Sequence, residues 1–449
     1  MVLDVDWNRP DLTTAVWLPC CWTLARRVQA SRLTSRDTQR DVSVEHTQGR
    51  GAKQPRVVCH HGFQALELLT FERSQDVSLL AGLVAERLVD RTGGHLEKVL
   101  FTNSGSETTE AALKFARRVT GRTRFLYLEG DFHGVTFGAL SVTDTGESLK
   151  KMSQGFGPLV PGCLRIRRED ADQLAEELNR GDVAAVILEP VQGATVKPLS
   201  AEYLRKVRDL CTGHGTILIA DEVLTGLGRT GRFLACEHSG IIPDMLLLSK
   251  ALSGGCVPVG ALMVRQELHA KAYSHMGSFV HGSTFGENDF GMAAALATLD
   301  VLDAENLIAN ARRQGQALVA GLLALQQRFE MIKDVRGEGL LIGVEFSSPR
   351  AWGSRLTGAV LRRRGLLGHL MTLQLLMKHR VLASTGARNN ILRLHPPLTL
   401  SSADVQTILA AFESILHDTY RFPDGIGRFI LSRVLDAGRT RPERQHASS

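Results

Sequence analysis

Apolar residues recur along this chain in two rhythms. Short unbroken runs, Val99-Leu100-Phe101, Phe125-Leu126-Tyr127-Leu128, Ala185-Val186-Ile187-Leu188, Ile217-Leu218-Ile219-Ala220 and Met245-Leu246-Leu247-Leu248, read as strands buried on both faces. Between them the apolar positions fall three or four apart. Residues 76–92 carry Leu79, Leu80, Leu83, Val84, Leu88 and Val89 at that spacing, and 107–118 and 202–211 behave alike, so all three predict helices. Strands alternating with helices predict a mostly parallel sheet covered on both faces. Helical spacing resumes at 291–302 and 307–329. A strand pair comes next at Val335 and Leu340–Phe346, and a last amphipathic helix at 403–416. These later pieces suit a smaller α+β domain.

The expected fold class is α/β, and the chain divides into four zones. Residues 1–75 form a divergent N-terminal segment, whose first 62 residues show no sustained periodicity. Residues 76–295 form a large domain, 296–420 a smaller C-terminal one, and 421–449 a tail rich in Arg, whose last dozen residues are expected to be disordered.

Composition narrows the function classes more than it selects one. A chain of 449 residues with 43% apolar and 22% charged side chains can bury a large core. No apolar stretch is long enough to span a bilayer, and Asp4, Asp6 and Asp11 argue against a signal or transit peptide, so a cytoplasmic protein is expected, with a mitochondrial one still open. The net charge of +6 sits mostly at the ends: residues 1–60 hold nine Lys/Arg against six Asp/Glu, and 418–449 hold six against four. Solvated basic ends explain this better than a nucleic-acid partner. Seven irregularly spaced cysteines suit free thiols in a reducing compartment. Cys59-His60-His61 has no second ligand pair at useful spacing, so no metal site is expected.

The chemistry gathers where three apolar runs end. Glu189 ends one, Asp221 the next, and Lys250 follows Ser249 at the end of a third, before Gly254-Gly255. Parallel strands bring such ends to one rim, where open α/β sheets place ligands. A lysine there can lose its proton and attack a carbonyl. Alone, it is more often a lysine that points to water; two carboxylates on the same rim give it a chemical setting. If the carbonyl is that of pyridoxal 5'-phosphate (PLP), Asp221 is the candidate to keep the pyridine nitrogen protonated. Its bland alternative is a helix N-cap before Glu222-Val223. Gly105 and Ser106, between a strand and a helix, would present N–H groups to a phosphate, or merely cap the helix. Phe132 could stack on a flat cofactor or be a core aromatic.

These segments together resemble the class III PLP-dependent aminotransferases, the group of ornithine, acetylornithine, 4-aminobutyrate and ω-amino acid:pyruvate aminotransferases. The resemblance rests on Thr102-Asn103-Ser104-Gly105-Ser106-Glu107, Phe132-His133-Gly134, Glu189-Pro190-Val191-Gln192-Gly193, the run Asp221–Gly231, Ser249–Gly255 and His281-Gly282-Ser283-Thr284-Phe285-Gly286, in order over about 75–415. It implies the PLP-dependent transferase fold type I and a homodimer with active sites at the subunit interface. It implies ping-pong transfer of an amino group from a small-molecule donor to a keto acid or aldehyde. Lys250 would form the Schiff base and carry the proton, and Asp221 would face the ring nitrogen. Val223 and Phe132 would cover the two ring faces, with His133 and Glu189 beside the cofactor. Gly105 and Ser106, with Thr284 of the partner subunit, would hold the phosphate. Arg393 would meet a substrate carboxylate, its bland alternative being a structural ion pair.

Three departures touch the substrate side. Ala194 stands where many ornithine- and 4-aminobutyrate-type members carry a glutamate that pairs with the arginine. Leu224 replaces a common Gln, and Gly286-Glu287-Asn288-Asp289-Phe290 replaces the usual Gly-Gly-Asn-Pro run. The N-terminal Gly-His-x-His-Pro motif has only a faint echo in 58–62. A decarboxylase, aminomutase or lyase on the same scaffold, or a relative with impaired turnover, is the alternative reading.

Overall fold

The computed structural model describes residues 78–144, 153, 155–274, 280–347, 367–385 and 390–420. Residues 1–77, the tail beyond 420, the 58–62 echo and the Cys59-His60-His61 run lie outside it. In chain order the first elements are α1 (Leu79–Arg91), β1 (Lys98–Thr102), α2 (Gly105–Thr120), β2 (Arg124–Leu128), α3 (Phe137–Ser141), β3 (Cys163–Ile166), α4 (Ala171–Leu178) and β4 (Val183–Leu188). They continue with β5 (Val191–Gln192), β6 (Lys197–Pro198), α5 (Ala201–Gly213), β7 (Ile217–Asp221), β8 (Met245–Leu248), β9 (Gly260–Val264), α6 (Gln266–Ala272) and α7 (Asp289–Ala304). The last are α8 (Leu307–Arg328), β10 (Ile332–Glu338), β11 (Leu341–Phe346), α9 (Leu367–His379), β12 (Ser384–Thr385), β13 (Ile391–Leu394) and α10 (Ser402–Tyr420).

Seven strands form the central sheet in the order β1-β9-β8-β7-β4-β2-β3. The pairs from β8 to β3 are parallel, and only β9 runs against its neighbours β1 and β8. The five apolar runs of the sequence are β1, β2, β4, β7 and β8. Sequence reasoning assigned no strand to β9. Its five residues are all buried, but only a short 3₁₀ turn separates them from β8, so a strand–helix–strand pattern gives no cue to them. Every residue of β4 is buried, as expected of a middle strand covered on both sides.

The register sets the site. Leu188 pairs with Ala220, and Asp221 with Leu247, so β4, β7 and β8 end together. Helix α2 shows how the sequence builds each crossover. Ser104 accepts a hydrogen bond from the Glu107 N–H as N-cap, and Gly121, at φ 71°, closes the other end. Its inner face buries Ala112, Phe115, Ala116 and Val119 against the sheet.

A second, four-stranded antiparallel sheet, β10-β11-β13-β12, carries Arg393. The expected strand pair at 335–346 is its β10–β11 hairpin. Helix α8 lies so close to that hairpin that a Cβ on Gly315 would sit 2.0 Å from the Gly339 carbonyl oxygen, so only glycine fits there. No helix among the described residues is long and apolar enough to cross a membrane.

Candidate active site

Lys250 begins a short 3₁₀ turn directly beyond β8, and its backbone is left-handed, with φ 41°. That conformation is uncommon for a residue with a side chain and clusters at functional sites. It is held by Ser249, whose hydroxyl donates to the Val259 carbonyl at 2.7 Å, and by the glycines at 254 and 255. The amine has no hydrogen bond or ion pair among the described residues. It does not point into bulk water alone: it lines a cavity of about 400 Å³ together with Val223, Leu224, Arg229, Arg393 and His395. Burial, then the charges of Arg229, Arg393 and Lys250, push His395 down to about 3, so its imidazole is neutral at any working pH.

Asp221 ends β7, and the chain continues as a run of turns rather than a helix, so the N-cap reading does not hold. One carboxylate oxygen accepts the Val223 N–H at 3.0 Å, and the other lies 2.7 Å from His133 Nδ1. His133 is fully buried, and its Nε2 has no partner among the described residues. The structure therefore places His133 behind Asp221 as the residue that holds the carboxylate. Burial opposes a charged imidazole, but the hydrogen bond and charge of Asp221, with Asp131 and Glu189 beyond, outweigh it and raise its pKa.

Glu189 follows β4 and accepts the Phe132 N–H at 3.0 Å and the Gly193 N–H at 3.2 Å. It thus fixes the loop that carries Phe132, a residue that is 40% exposed. Asp131, which sequence reasoning passed over, is the buried hub of this layer. Its oxygens accept from Arg168, from the Glu189 N–H and from Gln192. Burial, reinforced by Asp131 and Asp221, pushes Glu189 up to about 8, and burial raises Asp131 as well.

A carboxyl with a raised pKa stays protonated in the fold where the unfolded chain has ionised it, so stability falls as pH rises from the ordinary 4.5 toward about 8. Raised His133 contributes stability that is full below 6.5 and is lost as pH climbs through its folded value. Both act in one direction. Melting curves of protein without added cofactor should show a Tm that drops between about pH 5 and 8, with a shallower drop in Glu189→Gln. A wild-type Tm that holds level or rises over that interval contradicts this.

At the mouth of β1 the N–H groups of Gly105 and Ser106 are left without an acceptor among the described residues, as the first turn of a helix leaves them. Gly105 lies against Val223: a Cβ there would sit 3.0 Å from a Val223 methyl. The cradle is therefore open on one side and walled by Val223 on the other. Asn103 donates to Ser283 at 2.5 Å, which seats the 283–286 turn of the same chain beside the cradle and leaves Thr284 exposed beyond it.

Arg393 projects from β13. It donates to the Gly193 carbonyl at 2.8 Å and to the Thr385 carbonyl at 3.1 Å, and its buried Nε has no partner among the described residues. No carboxylate among the described residues pairs with it. Ala194, next to Gly193, is buried and offers no acid. Lys250, Val223 and Arg393 thus line one cavity; Asp221, with His133 behind it, and Gly105 join them through Val223, and Glu189 holds the loop of Phe132. Arg229 and His395 also line the cavity. Arg229 lies inside the Asp221–Gly231 run and His395 two positions beyond Arg393, and sequence reasoning gave neither a role. Among the described residues no group of three or more His, Cys, Asp or Glu could hold a metal ion.

A family model described as aminotransferase class-III matches residues 48–416. The chain is 33% identical over 377 residues to the aminotransferase PigE of a Serratia strain, covering 76% of this chain and 44% of that protein. It thus spans less than half the length of this curated relative. Among solved structures it is similar to the ornithine aminotransferase of Toxoplasma gondii, at 30% identity and a TM-score of 0.68, covering 82% of each chain. It is also similar to an amine transaminase of an uncultivated Pseudomonas species in a PLP-bound form, at 31% identity and a TM-score of 0.68, covering 81% of this chain and 86% of that one.

Proposed function

This chain belongs to the class-III aminotransferases, and from that premise we propose that it is a PLP-dependent aminotransferase acting on small molecules. The observation that carries the reading is the convergence of an unpaired Lys250 amine, a buried Asp221–His133 pair and a helix-start cradle at Gly105–Ser106 on one rim. These residues fit the cofactor: an anion cradle for a phosphate, an anion for a pyridinium nitrogen, and an amine for an aldehyde.

When bound, PLP supplies an aldehyde for the donor's amine and a ring that stores the electron pair left when a C–H bond breaks. The protein's part is positional and protic. Gly105 and Ser106 would bind the phosphate through N–H groups at the positive end of α2. Val223 and Phe132 would clamp the ring. Asp221 would hold a proton at the ring nitrogen. Lys250, freed by the incoming amine, would move a proton between two carbons, the task of a general base. Arg393, bound only to carbonyls, retains positive charge to meet a substrate carboxylate. Thr284 would complete the phosphate site of a second subunit in a homodimer. Residues 76–295 would form the cofactor-binding unit and 296–420 the smaller one that brings Arg393. Described cysteines without disulfides, Cys163, Cys211, Cys236 and Cys256, support a reducing, cytoplasmic setting.

Adding an amine donor alone to PLP-loaded protein should release a carbonyl product and leave pyridoxamine phosphate, identified after denaturation by chromatography. Release of CO₂ or ammonia without pyridoxamine phosphate would assign the site to a decarboxylase or lyase.

A further inference from the structure

Arg229 lines the cavity of Lys250; its neighbour Thr230 lines a second one, of about 310 Å³, which the reaction leaves unused. This cavity lies among the turn at 228–238, helix α8 and the β10–β11 hairpin, and it is at the small end of ligand-pocket sizes. We propose that it binds a phosphate-type oxyanion, either inorganic phosphate or the phosphate group of a small phosphomonoester.

Its lining is rich in donors. Arg232 and Arg312 both face it, both are exposed, and neither has a hydrogen bond or ion pair among the described residues. Two guanidinium groups beside one cavity are a planar, multi-donor match for tetrahedral oxyanions. Their convergence is built into the backbone. Gly231, at φ 80°, lies against the Arg312 stem so closely that a Cβ would sit 2.9 Å from the Arg312 Cβ. Thr230, Gly231, Arg232 and Arg312 are thereby drawn to one place. Glu338 is the one acid in the lining. It sits 3.8 Å from His238 Nε2, which also lies 3.1 Å from the Thr230 carbonyl oxygen, so its charge faces the imidazole rather than either arginine. Positive charge therefore exceeds negative in the cavity.

Thr230 gives the independent sign of a ligand. It is 1% exposed, it lines the cavity, and its hydroxyl has no partner among the described residues. Buried hydroxyls are nearly always bonded, and this one is left over in the wall of the cavity, beside two guanidinium groups without a partner among the described residues. An anion held between the guanidinium groups would satisfy both. The inference does not depend on the reaction proposed above.

Titration calorimetry of PLP-loaded protein, cleared of free cofactor, with inorganic phosphate at constant ionic strength tests it. Saturable binding is expected in wild type, with affinity roughly tenfold weaker or more in Arg232→Ala and in Arg312→Ala, the loss of a charge-assisted hydrogen bond. Arg312→Lys should lie between, since it keeps charge but not the planar fork. Binding should be seen in PLP-loaded protein, whose cofactor cradle is already filled, as well as in protein stripped of PLP. No saturable binding, wild-type affinity in both arginine→alanine variants, or binding only in the stripped protein would overturn the proposal, the last by assigning the phosphate to the cofactor cradle. Acetate binding as tightly as phosphate would overturn the assignment to a phosphate-type anion.

Discussion

Replacing Lys250 by alanine should remove covalent retention of PLP and slow amino transfer by about 10³-fold or more. The figure rests on two roles lost together. General-base transfer by a positioned group contributes about 10² to 10⁴, and the amine that would form the covalent link disappears as well. Borohydride reduction followed by intact-mass measurement reads the first loss: wild type should gain one cofactor mass, and the variant none. Single-turnover kinetics with a saturating donor reads the second. The fold should barely notice. The side chain lies in a cavity with no hydrogen bond or ion pair among the described residues, and the turn is held by Ser249 and the 254–255 glycines. A stability change within about 0.5 kcal/mol is expected, as for substitutions that remove no packing. A variant that keeps both the reduced adduct and wild-type turnover would take Lys250 out of the chemistry.

What the chain makes legible depends on the physics of each element. A buried parallel strand needs an unbroken apolar run, so β2, β4, β7 and β8 announce themselves, and a polar residue ending such a run falls on the rim. That is why Glu189, Asp221 and Lys250 can be placed together from spacing alone. The short strands β3, β12 and β13 have too few residues to show a period, and the antiparallel β9 breaks the alternation that identifies the others. The role of His133 is illegible for another reason. Its partner Asp221 lies 88 residues away, and only the fold shows that the imidazole stands behind the carboxylate. Asp131 directly precedes the Phe132-His133-Gly134 segment, yet nothing local marks it as the buried hub that Arg168, Gln192 and the Glu189 N–H share. A buried carboxylate must find such partners; sequence shows the need and leaves the partners open. Arg393 is the converse case. That position 194 offers it no acid is read from Ala194, and the carbonyl partners it takes appear only in three dimensions.

Substituting Asp221 by asparagine should lower the rate of amino transfer by about 10² to 10³, the loss seen when one charge-stabilising group is removed from a reacting centre. Asparagine keeps the shape, so the Val223 N–H can still find an oxygen. The charge is what goes. His133 then loses the hydrogen bond and the largest charge that raise its pKa, and burial weighs more against its charged form. No anion remains to hold a proton at the ring nitrogen, while the Lys250 amine is untouched. Covalent retention after borohydride should therefore persist in this variant, which separates it from Lys250→Ala. The fall of Tm above 6.5 should become shallower, because the His133 contribution is lost while that of Glu189 remains. A merely structural Asp221 would instead lower Tm at every pH and leave the rate per folded molecule near wild type. A rate within about threefold of wild type in the folded variant, under 1 kcal/mol of barrier, would remove Asp221 from its assigned place.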